Sequence, residues 1–430
     1  MAFLSTRDAS ASFSFAEALR LGPAPDGGLF MPASLAPLDA GFWQRLPGLG
    51  VAQIAREVLL RLLDSELDGD ALEALAEDAL DFEMPVVEVT DRLRVLELFR
   101  GPTLAFKDVG ARFLARFLAL TRPEGGRSTV LVATSGDTGG AVAQAFYGVE
   151  GVRVAILYPR GKVSLRQERQ FTTLGGNVRA FAIEGAFDDC QSLVKEAFAD
   201  RDLARRVALT SANSINIGRL LPQAIYYVHA AAQIPARRPL LFATPSGNFG
   251  NLTAGLLARR LGLEARFLAA TNSNDAVPSY LESGRYRPRA SLRTISNAMD
   301  VGSPNNFERI QHLYGEDLEA LRRDVSGTRV DDDETRETLG RVWRRHGYLL
   351  DPHTAVGWRA LEQALEREPR ETAGVVLATA HPAKFAEVVE PEIGREVEVP
   401  ERLARPMSRP VRSEPLPRRL DALRDRLLSW

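Results

Sequence analysis

The stretch STVLVA-TSGDTGG-AVAQAFY, residues 128–147, decides the fold. A mostly apolar run (128–133) passes through glycines and small hydroxyls (134–140) into helical spacing (141–147). A strand that feeds a helix through glycines is half of a crossover between parallel strands. The same plan returns at 239–261, where PLLFA is followed by TPSGNFGN and then LTAGLLARRL. Further β-rich runs lie at 94–98, 152–158, 177–183, 266–270 and 374–379, separated by amphipathic stretches. This alternation predicts an α/β fold whose parallel-rich sheets carry helices on both faces and bind ligands beyond the carboxyl ends of their strands.

In both tracts glycine permits close backbone approach, and the helix behind it offers unpaired N–H groups and a positive dipole end. Each is therefore a candidate anion site. A side chain at Gly247 is expected to intrude between those donors and a bound phosphate. Neither tract is a G-x-x-x-x-G-K-[ST] loop or a G-x-G-x-x-G turn.

Outward from these tracts, lysine usage is informative. Only four of the 54 Lys and Arg residues are lysine: Lys107, Lys162, Lys195 and Lys384. Where charge alone suffices this chain uses arginine, so a retained lysine is a candidate for what a guanidinium cannot do. An amine can be desolvated, deprotonated and condensed with an aldehyde. Lys107 lies in the mostly apolar GPTLAFKDVG (101–110), a setting that favours the neutral amine. TSANSINIGR (210–219) gathers hydroxyls, amides and Arg219. It suits a phosphate or carboxylate, and equally a turn with a helix N-cap. Thr379 stands just beyond an apolar run, where its hydroxyl reaches the end of a sheet.

His229, His312 and His346 fall in helical contexts, and DPHT (351–354) reads as a helix start with Asp351 as cap. No H-E-x-x-H, cysteine cluster or G-x-S-x-G is present, so neither a zinc site nor serine hydrolase chemistry is expected. At 430 residues and 45% hydrophobic, the chain should form two or three domains. Net charge −2 leaves no basic field for nucleic acid or an anionic membrane. No run approaches the ~20 apolar residues of a membrane span. A lone cysteine, Cys190, excludes an intrachain disulfide. The expectation is a cytoplasmic enzyme acting on a small molecule, monomer or homodimer, with no nucleic-acid, membrane or metal partner. After 395 the chain turns rich in Pro, Arg and Glu and ends in a short amphipathic helix at 420–430, expected to wrap the surface or pack at an interface.

Seven motifs occur in order: GPTLAFKDVGARF (101–113), TSGDTGG (134–140), YPRGK (158–162), SANSINI (211–217), PSGNFGN (245–251), SNAMD (296–300) and TAHPAKF (379–385). Together they closely resemble threonine synthase, a pyridoxal-phosphate family of fold type II. SFAEALRLGPAPDGGLFMP (14–32) resembles that family's N-terminal domain.

The resemblance implies a tryptophan synthase β-like core of two lobes at 91–390, the smaller at about 126–234. An N-terminal domain would occupy 1–90 and a tail 391–430. It implies that Lys107 carries pyridoxal 5′-phosphate and later moves protons. Gly247, Asn248, Phe249, Gly250 and Asn251 would cradle the cofactor phosphate, and Thr379 would bond to the pyridine nitrogen. Asp137 would lie near the cofactor O3′, with Ser135 and Thr138 at the substrate carboxylate. Ser211, Asn213 and Arg219 would hold the substrate phosphate. The implied reaction turns O-phospho-L-homoserine and water into L-threonine and phosphate, the last step of threonine biosynthesis, through a lysine–cofactor imine, γ-elimination and β-hydration. The alternatives are a related phospho-lyase that releases a 2-oxo acid and another lyase of the same fold, such as threonine dehydratase, which needs no substrate-phosphate site.

Overall fold

The apolar runs form strands because their side chains can be buried on both faces of a sheet covered by helices. A computed structural model describes residues 2–63, 67–122, 126–235 and 238–430. In chain order the strands are β1 (Phe3–Ser5), β2 (Phe30–Pro32), β3 (Val86–Glu88), β4 (Leu93–Glu97), β5 (Ser128–Ala133), β6 (Val152–Pro159), β7 (Val178–Ile183), β8 (Leu209–Ser211), β9 (Leu240–Pro245), β10 (Ala265–Thr271), β11 (Val325–Arg329), β12 (Ala373–Ala378) and β13 (Ser413–Leu416). The larger sheet has the order β11-β10-β9-β12-β4-β3, parallel except where β3 runs against β4. The smaller sheet, β13-β7-β6-β5-β8, is parallel throughout. The two glycine tracts thus leave the carboxyl ends of β5 and β9, one in each sheet.

Helices begin earlier than periodicity indicates. The helix Asp137–Phe146 already contains the last four residues of the first tract, and Gly250–Arg260 contains the last two of the second. Glycine has poor helix propensity, so the pattern hides a first turn held by tertiary contacts.

The N-terminal segment packs onto the core and supports the site. Ser14 and Glu17 form a capping box at the helix Phe15–Leu21. Near its end, the Leu19 carbonyl accepts from Thr210 Oγ1 at 3.1 Å and from Asn216 Nδ2 at 2.9 Å. The fully buried Arg309 guanidinium donates to the carbonyls of Phe30 and Ile215 and to Asn306 Oδ1.

The tail does more than wrap the surface. Its strand β13 extends the smaller sheet beside β7, and the helix Leu420–Leu428 buries Leu423 and Leu427. Four leucines, Leu403, Leu416, Leu423 and Leu427, are buried within that Pro- and Arg-rich text. Among the described residues no helix is long and apolar enough to cross a membrane.

Candidate active site

Lys107 is the first residue of the helix Lys107–Leu120. The loop before it is pinned to the chain that follows β12. The Thr379 carbonyl accepts from the Phe106 N–H at 2.9 Å, and the Leu104 carbonyl accepts from the His381 N–H at 3.1 Å. Leu104 pays for this path with a left-handed backbone, φ 58°, a strain of order 1–3 kcal/mol that persists only where the surroundings impose it. Asp108, buried beside Lys107, accepts from the Thr103 N–H at 2.8 Å and from Thr103 Oγ1 at 2.6 Å. Burial pushes the Lys107 ammonium below its ordinary range, and nearby Lys384 and Arg219 push the same way, while Asp137 and Asp351 oppose.

The first tract brings Asp137 to this lysine. Lys107 Nζ lies 3.9 Å from Asp137 Oδ2, whereas Lys384 Nζ lies 2.5 Å from Oδ1. Gln167 Nε2 also donates to Oδ1, at 2.8 Å. Burial alone would raise the Asp137 carboxyl, but the two ammonium groups and the Gln167 amide reverse this and hold it well below the usual carboxylate range. Thr134 shapes the turn: its buried Oγ1 accepts from the N–H groups of Gly136 at 3.0 Å and Gly139 at 2.8 Å. Only glycine fits at Gly136, where φ is 147° and an added Cβ would lie 2.6 Å from the Gln167 side chain. The N–H groups of Ser135, Asp137 and Thr138 meet no protein acceptor among the described residues.

The second tract presents a longer row of free donors. Among the described residues no protein acceptor takes the N–H groups of Gly247, Asn248, Phe249, Gly250 and Asn251. Phe249 is buried and left-handed, φ 61°, as N-cap of Gly250–Arg260. The side chains here hold the loop. Asn248 Oδ1 accepts from the Asn305 N–H at 2.6 Å, and Asn251 Nδ2 donates to the Pro245 carbonyl at 2.8 Å.

The expectation for Gly247 needs correction. A Cβ there would not enter the row of donors. It would strike the Ala298 carbonyl at 2.7 Å and Met299 Cα at 2.8 Å. SNAMD therefore backs the loop, and a buried histidine braces SNAMD in turn. The Ala298 N–H donates to His353 Nε2 at 3.2 Å, which places the ring proton on Nδ1, 2.7 Å from Asp351 Oδ1. Asp351 is the N-cap of Pro352–Leu365, as its sequence indicates.

Thr379, at the end of β12, is nearly buried, and its hydroxyl bonds to no protein group among the described residues. Arg219 is buried in the short helix Ile217–Leu220 and donates through Nη1 to the Ala212 carbonyl. Its Nε has no partner, and no carboxylate pairs with it among the described residues. Burial lowers its guanidinium to about 10, against the pull of Asp108, so it stays charged at neutral pH. The neighbouring residues differ in kind. Ser211 Oγ accepts from the Asn213 N–H at 3.2 Å. Asn213 Nδ2 donates to the Ala133 carbonyl at 3.0 Å, leaving Oδ1 as a buried, unpaired acceptor.

The residues singled out from the sequence thus gather around the ends of β5, β9 and β12. Four contributors were not among them: Thr134, Gln167, His353 and Lys384. For Lys384 the signal was present, since it is one of only four lysines. Gln167 and His353 act through contacts distant in sequence, and no local pattern marks them.

Residues 92–379 match the family described as pyridoxal-phosphate dependent enzyme, residues 2–80 the threonine synthase N terminus, and 354–426 the threonine synthase C-terminal family. Threonine synthase of Escherichia coli (strain K12) is 45% identical over 433 residues, covering 100% of each chain. The crystal structure of threonine synthase from Escherichia coli superposes with a TM-score of 0.94 at 44% identity, over 100% of both chains. The X-ray structure of PLP-bound threonine synthase from Brucella melitensis gives 0.92 at 38%, over 100% of this chain and 99% of that one. The chain belongs to the threonine synthase family of pyridoxal-phosphate-dependent enzymes.

Proposed function

We propose that this chain converts O-phospho-L-homoserine and water into L-threonine and inorganic phosphate, with Lys107 as the residue that carries pyridoxal phosphate. The observation that carries the substrate assignment is Arg219: a buried, charged guanidinium with an unpaired Nε and no carboxylate partner among the described residues. A buried cation without a counter-ion is costly, and an anionic ligand supplies one. A dehydratase acting on unphosphorylated amino acids has no use for it.

The residues present fit the cofactor. Five consecutive free N–H groups at a helix start suit its phosphate. An unpaired Thr379 hydroxyl suits the ring nitrogen, and being a very weak acid it would leave that nitrogen uncharged. When bound, pyridoxal phosphate supplies an electron sink for negative charge developing on the substrate carbons.

The protein's part follows from its own groups. Lys107, favoured as the free amine by burial, would bind the cofactor through Nζ, give up that place to the substrate amine, and then take the α proton on Nζ. The N–H groups of Ser135, Asp137 and Thr138 would hold the substrate carboxylate. Arg219 would hold the phosphate and stabilise charge on it as it departs. Asn213 Oδ1, an acceptor, is suited to a donor on the ligand rather than to phosphate oxygen. The reading is tested by incubating the holoenzyme with O-phospho-L-homoserine and identifying the products. Equimolar L-threonine and phosphate are expected. A 2-oxo acid with ammonia and phosphate would make it a phospho-lyase instead.

Gly247→Val tests the cradle. Its side chain would displace the Ala298–Met299 backbone, and overpacking of this kind costs about 1–3 kcal/mol. If the distortion reaches the row of donors, the cofactor dissociation constant rises roughly ten- to hundredfold. It is read by titrating cofactor into the stripped protein. An unchanged constant would reduce this loop to a tight turn.

A further inference from the structure

Two lysines face one carboxylate in this site, and they are not equivalent. Lys384 Nζ is fully buried, 2.5 Å from Asp137 Oδ1 and 2.9 Å from the Thr103 carbonyl. Lys107 Nζ stands 3.9 Å from Oδ2, beyond hydrogen-bond reach, with its side chain 16% exposed. We propose that Lys384 is a positioning residue for the reaction: its ammonium is the resident counter-ion of Asp137, which leaves the Lys107 amine free to exist uncharged. This rests on Lys107 being the cofactor-bearing lysine.

The physical reason lies in the count of charges. A buried carboxylate requires a cation. If Lys107 were the only one within reach, the pair would hold its proton in place, and a protonated amine is no nucleophile. A second ammonium, closer and drier, pairs with Asp137 and also repels a proton on Lys107. The charged groups facing Lys107 are Asp137 from the helix Asp137–Phe146, Lys384 from the turn Pro382–Phe385, Arg219 from Ile217–Leu220, and Asp351 at the start of Pro352–Leu365. Burial and the two cations favour the free amine, and the two carboxylates oppose it. Lys384 is the member that converts Asp137 from a proton trap into half of a neutral pair. It is held in register by Thr103, four residues before Lys107, so the two lysines keep a constant relation.

The test reads the proton on Lys107 rather than turnover. In the full chain stripped of cofactor, Lys107 is labelled with trace acetic anhydride across a pH series and quantified by peptide mapping. The rate of pyridoxal phosphate rebinding is followed in parallel. Lys384→Met should displace the Lys107 profile to higher pH by about one unit or more, an approximately tenfold loss of reactivity at a fixed pH on the rising limb. Asp137→Asn should displace it to lower pH, because the carboxylate that favours a proton on Lys107 is gone. The double variant should fall between the two.

A purely structural Lys384 would lower stability without moving the profile. An unmoved profile in Lys384→Met, or displacement of both single variants in one direction, overturns the proposal. If Lys384→Met does not fold, the Asp137→Asn arm decides alone, and an unmoved profile there is equally fatal. Borohydride mapping keeps the two readings apart. Cofactor fixed to another lysine overturns the role of Lys107, whereas correct mapping with an unmoved profile overturns only that of Lys384.

Discussion

Lys107→Ala is expected to abolish threonine formation, with a loss of roughly ten-thousandfold or more, because covalent attachment and proton transfer are removed together. Lys107→Arg should fail as completely. A guanidinium keeps the charge but stays protonated and does not condense with an aldehyde. Borohydride treatment of the wild type should fix the cofactor on Lys107, as read by peptide mapping. The other lysines make the result discriminating. Lys162 and Lys195 are exposed, and Lys384 is committed to Asp137. A label on any of the three would overturn the assignment.

Arg219→Ala should cut kcat/KM for O-phospho-L-homoserine roughly ten- to hundredfold, from loss of a charge-assisted contact of about 1.5–3 kcal/mol. Arg219→Lys should recover part of this, since an ammonium lacks the planar fork. The side chain also supports the local fold. It donates to the Ala212 carbonyl and packs against Gly110, where an added Cβ would meet its Nε at 3.1 Å. The control is therefore an unphosphorylated amino acid such as L-threonine, whose binding should change little. Equal damage to both ligand types would make Arg219 a structural residue and direct the search to Arg160 or Lys162. Both of these are exposed, and Arg160 lies 3.6 Å from Glu184, which makes them weaker candidates for a desolvated phosphate site.

Much of the site is legible in one dimension because its chemistry is local. A glycine tract between a strand and a helix announces free N–H groups without further information, and the two tracts leave the carboxyl ends of β5 and β9. Lysine is informative because a chain written almost entirely with arginine makes each lysine conspicuous. The same holds for Lys384, but its partner Asp137 is 247 positions earlier, so no spacing rule could connect them. Gly247 shows the opposite failure. Its local context reads as room for a ligand, whereas the neighbour that forbids a side chain is the protein's own SNAMD turn.

By itself the sequence determined the α/β class and marked two glycine junctions as candidate anion sites and Lys107 as the candidate lysine, since each reading depends on periodicity, glycine placement or residue chemistry within a few positions. Only the tertiary structure decided which groups are paired and which remain free. It set Lys384 rather than Lys107 against Asp137, left Arg219 without a carboxylate partner among the described residues, and turned Asn213 into an acceptor. It also drew the tail into the smaller sheet. Those outcomes depend on burial and on contacts between distant segments, and a charge acquires its meaning only when its neighbours and its distance from water are fixed.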